Sequence, residues 1–407
     1  MSTPTLSIRP GHPAFLDLDW SRPLEEWTHA RLVEVPTGVH RHVVRFVAYD
    51  DEIYAIKELP RRTARHEYRT LRSLAQRVTP VGTVIGLVDR GWVEGDREWS
   101  AAVITRYVKY AFTYRELISG GNFGPRRDQM LDAVAGLLVE LHLAGCFWGD
   151  CSLSNLLYRY DAGAIEAIMI DAETSELHDE LSRGQRMHDL DIMVVNLAGG
   201  MADIAAEQGL DLDDADLRLG EDVLARYKTL WAELYEPILI GPNEGYRVRE
   251  RVERLNALGF EVEDVDLLPV GDQEGRRLQL RVTVGGRNFH RSRLRELTGI
   301  DAAEHQARYI LADLRHFGAS QAAETATGKS IRAIRWRVEV FEPLLLKIAD
   351  NMEPHGDVVQ RYCDFLHHRY LIASGQQRDV PNDEAFAQWL DEGMPGYDLD
   401  IAATEDD

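Results

Sequence analysis

The chain of 407 residues has only three cysteines, Cys146, Cys151 and Cys363, and no CxxC pair. So few exclude a disulfide framework, and their spacing offers no zinc half-site, which fits a reducing compartment. Long apolar runs are missing as well. No stretch of about 18 uninterrupted apolar residues occurs, so no membrane-spanning helix is expected. The first ten residues contain no apolar signal-peptide core. Positive charge is scarce: 46 Lys and Arg face 68 Asp and Glu, for a formal net charge of −22. That balance disfavours binding of nucleic acid or an anionic membrane by the molecule as a whole, though not by a local basic site. The chain is expected to be cytoplasmic.

What is present is ordinary globular material. Hydrophobic residues make up 44% and charged residues 28%, so a sizeable core can form without staples. Length predicts two or three domains. Residues 1–29 read as a lead-in, irregular and rich in Pro and Gly to about residue 24. Alternating apolar residues predict strands between Leu32 and Leu59 and over 82–108, with a helix at 62–78 between them. Met130, Val134, Leu137, Leu138 and Leu141 have helical spacing and predict a helix over 127–144, ending before Gly145. A strand at 165–170 and helices to about 239 follow. Beyond Gly241-Pro242-Asn243 the pattern becomes a second α+β unit, with a strand at 278–284 and helices at 301–317, 333–350 and 355–373. The last 17 residues carry seven acids and no base, and 381–407 reads as a solvated acidic tail.

Five residues in the first 240 carry a chemistry. Asp150 and Asn155 lie five apart in a polar loop directly after the 127–144 helix, the spacing of a catalytic loop D-x-x-x-x-N. Such a loop sets an aspartate beside an acceptor hydroxyl and an amide oxygen beside Mg²⁺. Ile168-Met169-Ile170-Asp171 is an apolar strand ending in an acid, which can chelate the same metal through oxygen. Upstream, Tyr54-Ala55-Ile56-Lys57 is a strand ending on a lysine suited to the phosphates of ATP. Glu67 shares helix spacing with Leu71, Leu74 and Val78, and a charge on that inward stripe needs a partner. Lys57 is the candidate. Any one of these residues alone is ordinarily surface charge. Their order along the chain is the signal, and it predicts ATP- and Mg²⁺-dependent phosphoryl transfer.

The run Leu137 to Leu157, with His142, Gly145, Gly149, Asp150 and Asn155, resembles the "LHxxGxxHGDLxxxNLL" run of bacterial kinase-like phosphotransferases. Ile170-Asp171-Ala172-Glu173 resembles their "IDxE". The resemblance covers about residues 30–235 and is nearest to the lipopolysaccharide kinases, which phosphorylate Kdo and heptose sugars; aminoglycoside phosphotransferases are more distant. It implies an α+β, bilobal protein-kinase-like fold followed by a second, smaller α+β domain. Its lobes fall at 30–108 and 109–239, with the extra domain at 240–380. It implies catalytic roles for Asp150, Lys57 and Glu67, metal ligation by Asn155 and Asp171, and a hinge at Thr105 to Val108. There the backbone of Arg106 and Val108 meets adenine. It also implies a phosphate loop at Pro36 to Arg41 with Gly38 as its one glycine, where relatives have three.

Other departures bear on the acceptor. Trp148 stands where relatives have His, and is expected to pack but not to make the same backbone contacts. Ser152 replaces a frequent Lys of serine/threonine protein kinases. Only 17 residues separate Asp171 from Asp189, and no A-P-E motif lies between them, so a peptide-docking segment is missing. A small-molecule, sugar or atypical acceptor is therefore favoured. Asp189 or Asp191, opening an apolar helix, is expected to brace the catalytic loop or simply to sit at a helix N-terminus.

The second unit holds three further features. Ala323 to Ser330 resembles a P-loop, but a helical pattern precedes it, and it reads as a loop before a helix. Residues 276–295 contain seven arginines and no acid. Arg281, Arg287, Arg291 and Arg293 there form a possible anion site, or a solvated face paired with the chain's own acids. Cys363 and His367 read as a core pair. Two other function classes stay open: a pseudokinase acting as a nucleotide-binding module, suggested by Trp148 and the single glycine, and a phospho-ligand or nucleic-acid adaptor built on the arginines.

Overall fold

The computed structural model describes residues 3–35, 42–77, 80–93, 99–118, 126–209, 211–241, 243–270, 278–318, 326–353 and 356–397. Two compact units divide the chain. Unit 1 comprises Met1–Phe123, Met130–Arg159 and Ala167–Leu230, and unit 2 comprises Gly124–Gln129, Tyr160–Glu166 and Trp231–Asp407.

Unit 1 opens with a six-stranded antiparallel sheet. Its strands are β1 (Thr5–Ile8), β2 (Leu32–Val33), β3 (Val44–Tyr49), β4 (Glu52–Pro60), β5 (Val84–Val93) and β6 (Trp99–Arg106), in the spatial order β1-β5-β6-β4-β3-β2. Helix α1 (Arg61–Leu74) follows β4 and buries Ala64, Glu67, Leu71 and Leu74, a single stripe at helical spacing. The lead-in is largely irregular beyond residue 8, as its Pro and Gly content suggested, but it is part of the sheet and of the core. It contributes β1, which pairs with β5. Phe15, Leu18, Trp20, Leu24 and Trp27 then cover the sheet and bury their rings and branches against Val47, Tyr54, Ile56 and Ile104. Aromatic side chains bury large areas each, so this segment is core. Glu58 ties it down by accepting from the Leu24 N–H at 2.8 Å.

The rest of unit 1 is mainly helical. Short elements β7 (Ala111–Phe112) and α2 (Tyr114–Ile118) lead to α3 (Arg126–Leu143). From Met130 to His142 almost every side chain of α3 is buried, the pattern of a helix enclosed on all sides. Next come β8 (Cys146–Phe147), the hairpin β9 (Leu156–Asp161) and β10 (Ala164–Met169), whose tip Tyr160–Glu166 belongs to unit 2, β11 (Glu176–Leu177), and helices α4 (Arg183–Gln208), α5 (Asp214–Leu217) and α6 (Leu219–Tyr235), the last of which passes into unit 2 at Trp231. Helix α4 starts on a capping box between Ser182 and Gln185 and stops at Gly209, which takes the left-handed backbone its C-cap needs. All three cysteines are free and buried. Among the described residues no helix is long and apolar enough to cross a membrane.

Unit 2 carries a three-stranded antiparallel sheet of β12 (Ile238–Ile240), β14 (Leu278–Val284) and β13 (Val262–Pro269), with α7 (Tyr246–Ala257) between the first two along the chain. Helices α8 (Phe289–Thr298), α9 (Glu304–Gly318), α10 (Ala326–Trp336), α11 (Glu342–Asn351), α12 (Val358–Gln376) and α13 (Asn382–Asp391) follow. A π-helical turn at Arg337–Phe341 joins α10 to α11, where the sequence pattern predicted one helix. Two buried acids organise the helices. Asp313 on α9 accepts from Trp336 Nε1 (2.9 Å), the Tyr362 hydroxyl (2.9 Å) and Arg369 Nη2 (2.6 Å), tying α9, α10 and α12 together. Asp161 accepts the backbone N–H groups of His305 (2.9 Å) and Gln306 (2.7 Å) and so caps α9 from a distant segment.

The acidic tail is also corrected at its start. Residues 381–397 are described, and α13 buries Ala385, Phe386 and Trp389 in the unit 2 core. Trp389 donates its indole N–H to the Pro395 carbonyl at 2.9 Å. Counting acids hid the three apolar residues at helical spacing that anchor the segment. Residues 398–407 lie outside the described residues.

Two measurements check this account. Trp389→Ala removes a fully buried indole and is expected to destabilise unit 2 by about 3–5 kcal/mol, read as a fall in its thermal midpoint; a solvated tail would show no change. Burial pushes the Asp161 carboxyl up, but hydrogen bonds and charge from His305 and the backbone N–H groups outweigh it, so the carboxyl is held below its ordinary 3.8. A depressed acid contributes stability that is present above its unfolded value and lost as pH falls through the folded one. Asp161→Asn is therefore expected to lower the midpoint at neutral pH and to flatten its acid dependence below about pH 4.

Candidate active site

The site is built where strand, helix and loop ends of unit 1 converge. Lys57 on β4 reaches three carboxylates: Asp171 Oδ2 at 2.6 Å, Glu67 Oε2 at 3.3 Å and Glu173 Oε2 at 3.5 Å. The predicted Lys57–Glu67 pair is present, with Glu67 only 1% exposed. Helix α1 is held in place for it by His66, whose Nε2 lies 2.6 Å from the Ser175 carbonyl oxygen. Glu173 and His42 complete the cluster, the His42 ring lying 3.0 Å from Glu173. Neither had been assigned a role from sequence, although Glu173 is the last residue of the IDxE run.

The charges do not balance: one ammonium serves three acids. Burial by itself lowers the Lys57 ammonium's pKa, but Glu67, Asp171 and Glu173 outweigh burial and hold it above its ordinary value. Burial pushes the Glu67 carboxyl up to about 8, against the pull of Lys57. Glu67 Oε2 and Glu173 Oε2 are buried, and the nitrogens that face them, Lys57 Nζ for both and His42 Nε2 for Glu173, are shared among the three acids. Glu67, Asp171 and Glu173 can each turn a ligand oxygen to within 4.8 Å of the others. Oxygens of this kind, all from carboxylates, fit a hard divalent cation such as Mg²⁺.

The loop from Trp148 to Asn155 is held from beneath by Asp189 on α4. This fully buried carboxylate accepts from the Trp148 N–H (2.8 Å), the Gly149 N–H (2.8 Å) and His142 Nε2 (3.0 Å). Of the two candidates Asp189 is therefore the brace; Asp191 is exposed. Gly149 has φ +76°, and a Cβ there would stand 3.2 Å from the Thr174 carbonyl, so the turn requires glycine. Trp148 packs as expected. It is fully buried, and its indole Nε1–H donates to the Asp171 carbonyl at 3.0 Å, a backbone contact to the end of that strand.

Asp150 and Asn155 meet as predicted. Asn155 Nδ2 donates to the Asp150 carbonyl (3.0 Å) and to its Oδ2 (3.2 Å), leaving the amide oxygen as the atom that can ligate a cation. The Ile170 N–H donates to the Asn155 carbonyl at 3.1 Å, which joins the catalytic loop to the Asp171 strand end. The same strand end is tied to the sheet side by the Gly82 N–H, donating to the Met169 carbonyl at 2.8 Å. Asn196 on α4, not singled out in the sequence, donates from Nδ2 to Asp150 Oδ1 at 3.0 Å.

The remaining candidates fare differently. The Arg106 N–H donates to the Thr83 carbonyl at 2.8 Å, so Arg106 can offer adenine only its carbonyl. Val108 follows β6 in irregular backbone. Gly38, with the whole 36–41 loop, lies outside the described residues, as do Arg276 and Arg277. The expected anion site is not gathered. Arg287 Nε donates to the Leu258 carbonyl (3.0 Å), Arg291 forks Asp301 (2.8 and 3.0 Å) and Arg293 pairs with Glu296 (2.6 Å). Arg281 stands on β14 across from Asp266 on β13. These charges answer the chain's own acids and carbonyls. Helix α9, not a strand, precedes the P-loop-like run, and Cys363 is a core residue.

Comparison with known proteins agrees with this geometry. Residues 49–208 match the Lipopolysaccharide kinase (Kdo/WaaP) family, and residues 229–394 match a domain of unknown function (DUF4032). The resemblance to lipopolysaccharide kinases, with a further C-terminal domain, is thus shown, and the fold is α+β and kinase-like. No curated protein matches. Among solved structures, the chain is similar to "WaaP in complex with acyl carrier protein", at 16% identity and a TM-score of 0.34, over 55% of this chain and 88% of that one.

The contact made by Trp148 can be tested. Trp148→Phe keeps a large ring but leaves the Asp171 carbonyl without its donor. The variant is expected to lose about 1–3 kcal/mol of stability by thermal or urea unfolding, the cost of an unsatisfied buried polar group. A neutral result would show that the indole N–H contributes nothing.

Proposed function

We propose that unit 1 transfers the γ-phosphoryl group of ATP to a hydroxyl of a sugar or other small-molecule acceptor. The observation that carries this reading is the Lys57 cluster, an ammonium 2.6 Å from Asp171 and 3.3 Å from the buried Glu67, with Asp171's strand end bonded to the Asp150–Asn155 loop. Phosphoryl transfer asks chiefly for positioning and charge neutralisation, and these residues supply both. Glu67 holds Lys57 so that its ammonium can face phosphate oxygens. Asn155, Asp171 and Glu173 would hold Mg²⁺, which when bound neutralises charge on the phosphates. Asp150, steadied by Asn155, orients the acceptor hydroxyl and receives its proton. The backbone at the end of β6, the Arg106 carbonyl and Val108, is the proposed seat of adenine.

The acceptor reading rests partly on the shortness of the stretch between Asp171 and Asp189. It holds the two-residue strand β11, connecting backbone and the first residues of α4, which leaves little chain to seat a peptide. The match to lipopolysaccharide kinases supports a sugar hydroxyl.

The test is turnover of labelled ATP with a metabolite or lipopolysaccharide-core extract as acceptor, using Asp171→Ala as the blank. Asp150→Ala is expected to lose about 10²-fold or more in kcat with the fold intact by circular dichroism. An Asp150→Ala protein as active as wild type would falsify the role given to it.

A further inference from the structure

Helix α4 runs beneath the catalytic loop and touches it at successive points. Asp189, Asn196 and Gly200 are spaced seven and four apart, which places them on one helix face. Asp189 holds the N–H groups of Trp148 and Gly149. Gly200 lets the helix press against the turn at Leu153, since a Cβ there would stand 3.1 Å from Leu153 Cδ1. Asn196 lies between them, half-buried, with Nδ2 3.0 Å from Asp150 Oδ1. The other carboxylate oxygen, Oδ2, accepts from Asn155 at 3.2 Å. Each oxygen of Asp150 therefore has its own amide donor, one from the loop and one from the helix.

The chemistry fixes the sense of these contacts. An ionised carboxylate only accepts, so both amides must present their NH₂ groups to it. One donor alone would leave the carboxylate plane free to turn about its bond to Cβ. Two donors on different oxygens, carried by different elements, stop that rotation. Misalignment of a reacting group by a fraction of an ångström to one ångström is costly to rate.

We infer that Asn196 is a positioning residue that fixes the rotation of Asp150 for phosphoryl transfer. This rests on the kinase reading above. In the step concerned, the acceptor oxygen forms a bond to the γ-phosphorus while the bond from that phosphorus to the β,γ-bridging oxygen breaks, leaving ADP. The acceptor's proton passes to the Asp150 carboxylate. Asn196 takes no part in bond making; it sets the angle at which the carboxylate meets the hydroxyl.

The experiment is a double-mutant cycle on the full chain, reading ATP turnover with the acceptor extract, ATP affinity by calorimetry and thermal midpoint. Asn196→Leu is expected to lower kcat about 10- to 100-fold, the effect of one hydrogen bond to a charged group, while KM for ATP and the Kd of Mg·ATP stay within about twofold. Asn196→Gln, which keeps the amide, should recover part of the loss. In an Asp150→Ala background, Asn196→Leu should have no further effect on kcat, because the group it positions is gone. A purely structural role would cost the same factor in both backgrounds. If wild type turns over ATP and Asp150→Ala keeps only a small residual rate, but Asn196→Leu matches wild type or lowers that residual rate by the same factor, the inference falls and the kinase reading stands. If wild type turns over no ATP with any fraction of the extract, the kinase reading falls and takes the inference with it.

Discussion

A single fully buried carboxylate, Asp189, sets the geometry on which the site depends. Removing a charge from water is expensive unless it is fully hydrogen-bonded. Asp189 meets that requirement only if the Trp148 and Gly149 N–H groups point down at α4 and the His142 ring turns towards it. The requirement therefore bends the loop, and the bend needs the positive φ that Gly149 supplies. Once the loop is bent this way, Asp150 and Asn155 face each other. Trp148 is driven under the Asp171 strand end, and Asn196 comes within reach of Asp150.

The Lys57 cluster applies the same constraint with an opposite outcome. Around Asp189 the donors suffice. Around Lys57 one ammonium and the half-buried His42 ring face three carboxylates, so each nitrogen is shared. The cluster carries more acid than base, whereas Asp189 is surrounded by donors. Unit 2 repeats the satisfied type at Asp313 and Asp161, each holding helices together through several donors.

Much of the site was legible in the sequence because its members occupy the ends of regular elements. Lys57 closes a strand, Glu67 interrupts an apolar helical stripe, Asp171 ends an apolar strand, and Asp150 and Asn155 share one short loop. Periodicity predicts such positions, and chain order links them. The lead-in and the start of the tail were misread because composition was allowed to stand for burial. Pro and Gly around Phe15, Trp20 and Trp27, and acids around Phe386 and Trp389, masked rings that are core. Which reading of the unit 2 arginines the contacts favour was not legible in the window itself. Their partners Asp301 and Glu296 lie just beyond the acid-free window, close enough to neutralise them.

The sequence by itself determined the order of the elements, the catalytic loop, and the pairing of Lys57 with Glu67, since each is written in local spacing and in the cost of a charge on an apolar stripe. Tertiary structure alone decided which acid braces the loop, that the Trp148 indole bonds the Asp171 carbonyl, and that Glu173, His42 and Asn196 lie beside the candidate residues. Those choices depend on contacts between segments tens of residues apart. No local pattern records them, because a hydrogen bond is decided by distance in space, and that distance is set only when the core has packed.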